Sequence, residues 1–381
     1  MIKIAYIITG LDVGGAEKML LRLIENLDKE RFTPIIISLS SVGVIGRKLS
    51  EMGFLVVALN LNPHFPSIFK FFRLIFHLRS FSPDIIHTWM YHADLFGGLA
   101  AKVAGFNTIV WGIRNSELSP QRSKGKTRFI QKLCALLSNR IPKCILFCSN
   151  QSSNIHFSLG YSSKKIAFIP NGFDINFFHP KASGYLKIFR ELRLPISTRL
   201  VGLVGRYDPE KNHIGFIQAA KIIHNKLPDI HFVLVGRGID DLNHAICSAI
   251  DDADLKNHIH LLGERGDIPQ IMASLRVLVS TSHGEAFPNV IGEAMASGVP
   301  CVVTNAGDSL DIIGGIGGGV DVGDMEGIAE RVIKILSLSE QQYVMLSHRA
   351  RSHISNNYEL SVIIERYQNF YALMFDSKGV S

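Results

Sequence analysis

The chain has 381 residues, 47% hydrophobic and 19% charged, which excludes a disordered protein and supplies enough apolar material for two domains rather than one. Its net charge of +7 is spread along the chain without a nucleic-acid-binding motif, so phosphate ligands or an anionic membrane face are expected and nucleic acid is not an expected partner. The five cysteines, Cys134, Cys144, Cys148, Cys247 and Cys301, are odd in number and lack zinc spacing, as expected for reduced thiols in the cytoplasm. The opening MIKIAYIITG is too short an apolar run for a signal peptide, and no window reaches the ~18 to 20 apolar residues of a membrane span.

In chain order, short β-branched runs alternate with helical periodicity. Residues 3–9, 34–38, 55–59, 84–87, 108–111 and 144–148 are expected as buried parallel strands, bounded by Gly, Pro, Ser and Asn. Residues 16–27 place Met19, Leu20, Leu23, Ile24 and Leu27 on one helical face. This is the rhythm of a doubly wound α/β sheet. The pattern breaks into a polar linker near residues 180–198. It restarts with strands at 200–204, 231–235, 259–262, 277–280 and 299–303, each trailed by a helical run. GGIGGG, residues 314–319, reads as a flexible turn, and residues 361–375 as a terminal amphipathic helix. The expected organisation is a Rossmann-like domain over 1–182, a second over 183–360 and a terminal helical segment over 361–381. Ligands of such sheets bind outside the carboxyl ends of strands, so the loops after strands are the places to look for chemistry.

After the first strand, Thr9-Gly10-Leu-Asp-Val-Gly14-Gly15-Ala16-Glu17 opens directly into a helix. Glycine permits close backbone approach and a helix N-terminus offers amides to an anion, although a plain strand-to-helix turn reads the same way. After the first strand of the second domain, Arg206 and Lys211 in GRYDPEKN are placed to hold a diphosphate, with a solvated loop as the bland reading. Leu262–Ile268 ends another strand, and its backbone could meet a base edge with Ile268 against the base face, or could be an ordinary polar turn. GEAFPNVIGEAMA sets Glu285 on a loop and Glu293 inside a helix for which Pro288 is expected at the first position, directing the Asn289 and Val290 amides at a phosphate. A carboxylate accepts paired hydroxyl hydrogens, which suits a sugar at one glutamate and a ribose at the other.

These residues, with Ile169-Pro170-Asn171-Gly172-Phe173-Asp174, resemble the retaining GT-B glycosyltransferases of family GT4 over nearly the whole chain, most specifically in its C-terminal half. The resemblance implies two Rossmann-like domains facing a cleft and a terminal helix returning to the first domain. It implies a nucleotide-sugar donor, with uridine diphosphate the expected nucleotide, bound in the second domain without a cofactor or metal. The acceptor, a glycan or a lipid-linked glycan of cell-surface polysaccharide or glycolipid synthesis, would be held largely by the first domain. By position, Arg206 and Lys211 would bind the diphosphate, Glu285 the transferred sugar and Glu293 the donor ribose. Gly14 and Gly15 would approach phosphate and sugar, while Glu264, Arg265, Ile268, Phe287, Pro288, Asn289 and Val290 would complete the donor side. Glu285, Arg206 and Lys211 form the expected catalytic set. The resemblance also favours front-face retention over double displacement.

One departure stands out. Many relatives place a histidine after the strand that here runs into Trp111-Gly-Ile-Arg114-Asn115-Ser116, and this loop has none. His92, Arg114 and Asn115 are the candidates for the acceptor or sugar side, with His87 behind them. Two other functions fit the same fold: a nucleotide-sugar epimerase, or a nucleotide-sugar-binding protein without turnover. A metal-dependent transferase is the weakest rival, because Asp252-Ala253-Asp254 does not directly follow a strand. Finally, Ile68, Phe69, Phe72, Ile75 and Phe76 share one face of a basic helix, with Arg122, Lys124, Lys126 and Arg128 further on. Either this helix packs on the sheet, or the aromatic, basic face lies on an anionic membrane, making the protein peripheral on the inner leaflet.

Overall fold

The computed structural model describes residues 1–61, 68–114, 125–181 and 184–377. Asn115, Arg122 and Lys124 therefore lie outside the described residues. The chain divides into two compact units, Met1–Gly172 with Ser361–Ser381, and Phe173–Leu360.

The first unit is built on β1 (Ile2–Ile8), β2 (Phe32–Ser38), β3 (Leu55–Ala58), β4 (Ile85–Trp89), β5 (Ile109–Ile113), β6 (Cys144–Phe147) and β7 (Ile166–Phe168). They form one parallel sheet in the order β3-β2-β1-β4-β5-β6-β7. The Ile- and Val-rich central strands are buried on both faces, as parallel strands flanked by helices must be. The second unit repeats the plan with β8 (Leu200–Val204), β9 (His231–Val235), β10 (Ile259–Leu261), β11 (Val277–Ser280), β12 (Cys301–Thr304) and β13 (Gly317–Val320), ordered β10-β9-β8-β11-β12-β13. In each sheet the winding reverses once, between β1 and β4 and between β8 and β11. Loops diverge at such a switch point, leaving room for a ligand.

Two edge strands depart from expectation. β7 has only three residues, too few to show a pattern. β13 replaces the flexible turn expected for GGIGGG. Gly314, at φ +54, ends the helix Ser309–Ile313, and Gly317 then begins a strand registered against Cys301. A side chain at Gly317 would strike the Cys301 carbonyl, so glycine is what allows the pairing.

The unit boundary falls at Gly172–Phe173, ahead of the expected 182–183. Phe173 bonds through its amide to the Tyr358 carbonyl (2.9 Å) and through its carbonyl to the Leu360 amide (2.9 Å), and its ring stacks on Phe287. The terminal helix Leu360–Asp376 fastens to the first unit by two fully buried tyrosines. The Tyr371 hydroxyl lies 3.1 Å from that of Tyr6 and 2.9 Å from His87 Nδ1. Arg114 donates to the Tyr367 hydroxyl, and to Asn171 Oδ1 at 3.0 Å, with its guanidinium 3.9 Å from the Trp89 ring centroid.

Four histidines meet in the second unit. His231 Nδ1 and His260 Nε2 lie 3.0 Å apart, and the His258 ring sits 5.0 Å from that of His231 and 4.1 Å from that of His224. Burial, then mutual repulsion, pulls His231 and His258 below the usual imidazole range and His260 to about 4, while Asp229 partly restores His231. The unfolded imidazoles take up protons near pH ~6.5, where the folded cluster does not. Stability is therefore complete above that pH and lost as pH falls towards about 4. Urea unfolding of the whole protein between pH 7.5 and 4.5 is expected to show a midpoint that declines below neutrality. His260→Gln should flatten the decline, and a constant midpoint would contradict this account.

Candidate functional site

At the switch point of the second unit, the loop after β8 begins with Gly205 and Arg206. Asp208 then caps a 3-10 turn over Pro209–Lys211, its Oδ1 accepting from the Glu210 amide at 3.0 Å. Asn212, in the left-handed conformation at φ 51, ends that turn and caps the helix His213–Lys226 by accepting from the Gly215 amide. The reversal throws Lys211 towards the neighbouring loop, which leaves β11. Thr281 on that loop donates to the Lys211 and Asn212 carbonyls at 3.0 and 2.9 Å, so the two loops are fastened backbone to side chain.

Glu285 lies on this second loop. Its Oε1 accepts from Lys211 Nζ at 2.5 Å and from Ser282 Oγ at 2.8 Å. The carboxylate side chain is 12% exposed and the lysine 23%, so the pair is partly desolvated yet reachable. Two expected site residues, 74 positions apart, are thus brought into direct contact.

The helix Asn289–Ala296 follows. Pro288 occupies its N-cap, one position earlier than expected, with extended backbone at φ −72 and ψ 101. In its first turn the Ile291 amide bonds back to the Pro288 carbonyl at 3.2 Å. Glu293 is 9% exposed on this helix. Close packing holds the segment in place: Phe287 stacks on Phe173 (centroids 6.2 Å apart, planes 18°), and the Phe173 ring lies against Gly292 where a side chain would collide. In the loop after β12, Gly307 at φ +56 packs on this loop's backbone, and a Cβ there would come within 2.5 Å of the Glu285 carbonyl oxygen.

Other expected residues are placed differently. Arg206 turns back on its own loop, its Nε and Nη2 donating to Asp208 Oδ2 at 3.1 and 2.8 Å. Arg265 is committed twice, to Glu191 (2.6 and 3.0 Å) and to Asp267 (2.8 Å from both Nε and Nη2). These bonds to Asp267 and Glu191 hold its pKa above the ordinary value. Its side chain is therefore a strut of the loop rather than a free donor to a ligand, and the loop is left with its backbone, the exposed Glu264 and the half-buried Ile268 at the start of the helix Ile268–Ser274.

In the first unit, Gly14 caps the helix Gly15–Asn26 with extended backbone at φ −154, at the carboxyl end of β1. His92 is the second residue of the helix Tyr91–Val103 after β4, half-buried, with its pKa lowered by burial. Met90, which precedes it, has φ 74, a conformation disfavoured for a side-chain-bearing residue. These loops flank the switch point of that sheet. Arg114 and His87 do not join them: the Asn171, Tyr367 and Tyr371 contacts turn both inward, so the departure after β5 is not made good by Arg114. Ser282, Thr281 and Gly307 belong to the site and were not anticipated. The only trace of Ser282 is its position three residues before Glu285.

Residues 13–177 match the family model described as Glycosyltransferase Family 4, and residues 198–338 that described as Glycosyl transferases group 1. The chain belongs to the family 4, group 1 glycosyltransferases. It is 27% identical over 391 residues, covering 99% of this chain and 98% of the other, to the UDP-Gal:alpha-D-GlcNAc-diphosphoundecaprenol alpha-1,3-galactosyltransferase of Escherichia coli. It is also 24% identical to the N,N'-diacetylbacillosaminyl-diphospho-undecaprenol alpha-1,3-N-acetylgalactosaminyltransferase of Campylobacter jejuni, over 85% of this chain and 87% of that one. Its fold is similar to Anabaena HepE in complex with UDP and glucose, with a TM-score of 0.84 at 23% identity, covering 98% of this chain and 100% of the other. The two-sheet architecture is the GT-B fold.

In this glycosyltransferase, Gly307→Ala should act on Glu285 through the backbone. Both the positive φ and the contact with the carbonyl oppose a methyl group, at an expected cost of about 1–3 kcal/mol in unfolding free energy. Transfer per folded molecule should fall as well, which urea unfolding and activity assays on the same preparation separate. A stable, fully active variant would contradict the assigned role of Gly307.

Proposed function

We propose that the chain transfers a sugar from a uridine diphosphate sugar to a lipid-linked glycan acceptor, with retention at the anomeric carbon and without a metal ion. The observation that carries this reading is the Lys211–Glu285 contact at the switch point of the second sheet, a cation for phosphate beside an acceptor for sugar hydroxyls. The names of the two bacterial relatives, which specify diphosphoundecaprenol acceptors, support the acceptor class. The UDP-Gal relative and the UDP-bound HepE structure support the nucleotide.

In the reaction, negative charge grows on the departing diphosphate and positive charge on the sugar ring. Lys211, Arg206 and the amides of the helix after Pro288 would meet the first. Glu285, aimed by Ser282, would hold the sugar hydroxyls, and Glu293 the ribose. The leaving phosphate takes the acceptor proton on the face from which it departs. Cationic side chains and amides supply the charge that a metal would otherwise supply.

Calorimetry should show UDP binding to the wild type that weakens about 10- to 100-fold in Lys211→Ala, the loss expected for one charge-assisted bond. Glu285→Ala should abolish transfer while retaining UDP binding. EDTA should leave transfer intact. Unchanged UDP affinity in Lys211→Ala, or loss on chelation restored by manganese, would refute the respective parts.

The helix Ile68–Phe81 supports the acceptor reading. It turns Leu74, Ile75 and Leu78 into the core and leaves Ile68, Phe69, Phe72 and Phe76 at 59–80% exposure, so Ile75 does not share the outward face expected for it. Arg73 and Arg79 are exposed beside them. The helix Gly125–Leu137 adds exposed Phe129 and Leu136. Rings of this kind insert at an interface and each nearby cation adds about 1 kcal/mol on anionic lipid. Among the described residues no helix is long and apolar enough to cross a membrane, and peripheral association is the mode proposed. Flotation with phosphatidylglycerol vesicles should capture the protein at low salt, and Phe69→Ser/Phe72→Ser should release it. Failure to float at low salt would refute the membrane reading.

A further inference from the structure

Arg206 is exposed but its guanidinium is paired. Its Nε and Nη2 both end on one oxygen of Asp208, and the other oxygen of that carboxylate is held from behind by the Glu210 amide at 3.0 Å. The arginine side chain is 59% exposed and the carboxylate 24%. Burial raises the Asp208 pKa, but the Glu210 amide and Arg206 outweigh burial and leave it below the usual carboxylate value. A carboxylate oxygen gathering two guanidinium N–H groups presents the same acceptor as a phosphate oxygen.

We propose that Asp208 is an affinity-limiting positioning residue: it occupies the diphosphate-binding N–H groups of Arg206 when no nucleotide is bound, competes with the diphosphate for them, and so speeds release of the nucleoside diphosphate product. The inference rests on the donor reading of the site. Arg206 and Asp208 form a neutral pair, so an arriving diphosphate exchanges one anion for another instead of meeting an unpaired cation. On departure the carboxylate closes behind it. Because the Glu210 amide fixes Asp208 from the far side, the carboxylate does not follow Arg206, and the competition is decided at the guanidinium.

Calorimetric titration of UDP and of inorganic diphosphate into the wild type, Asp208→Asn, Arg206→Ala and the double variant tests this. Asp208→Asn should bind both ligands about two- to five-fold tighter, the range carried by a part-exposed ion pair. Its affinity should fall more steeply with salt, and its product-inhibition constant for UDP should drop. In the Arg206→Ala background most of the gain should vanish, since the group competed for is gone. Asp208→Ser, which keeps an acceptor for the Glu210 amide, should tighten binding in the same direction and controls for damage to the turn. Unchanged or weaker UDP binding in both Asp208 variants, or an undiminished gain without Arg206, overturns the inference while the donor reading stands. A wild type that binds UDP no better than Lys211→Ala is instead the failure of the donor reading itself.

Discussion

Two opposite charges, Lys211 and Glu285, are held together where the second sheet reverses its winding, and most of the surrounding structure can be understood as the means of keeping them there. A lysine and a carboxylate this close need a rigid support, because an exposed pair between mobile chains contributes little. The support is backbone and one hydroxyl: the left-handed Asn212, the Thr281 hydroxyl bonded to two carbonyls of the other loop, and Gly307 pressed against the Glu285 carbonyl. None of these atoms carries charge. They convert a contact between two flexible side chains into a feature of the sheet.

The first unit solves a different problem, the burial of a cation. Arg114 lies 8% exposed at the end of β5, with donors on the neutral Asn171 and Tyr367 and its plane against Trp89. Burying a guanidinium is tolerable only when bonds and polarisable surface replace water. Here those partners come from the segment just before Phe173 and from the terminal helix, so the same contacts that satisfy the charge pin that helix to the first sheet. This explains why the arginine at the end of β5 is unavailable to an acceptor.

How much of this was legible in the sequence depends on whether a feature is local. Buried parallel strands are continuous Ile and Val runs, so the central strands were plain, as was the buried face of the helix Gly15–Asn26. β7 and β13 were hidden because IAF and GGGV offer no pattern, and a strand that needs glycine to approach its neighbour looks like a turn. The outward face of the helix Ile68–Phe81 was right in type but wrong at Ile75, because the helical phase is set by what lies beneath. Candidate cations were visible and their partners were not. Glu191, which holds Arg265, is 74 residues away, and nothing local distinguishes an arginine that meets a ligand from one that meets a carboxylate.

That distinction gives the site its logic. Arg206 and Lys211 at the second switch point are each paired internally, Arg206 with Asp208 and Lys211 with Glu285, so each of these charges is offset in place despite the basic chain. A side-chain cation can be held by a carboxylate and handed over, whereas the amides at the start of a helix have fixed positions and no counter-ion of their own. On the proposed donor reading, the helix after Pro288 would set where a phosphate sits, and the two ion pairs how long it stays. If Arg206 binds the diphosphate as proposed, affinity for the nucleotide would depend on the difference between two anions competing for the same donors, a difference tunable by a carboxylate that need not touch the ligand.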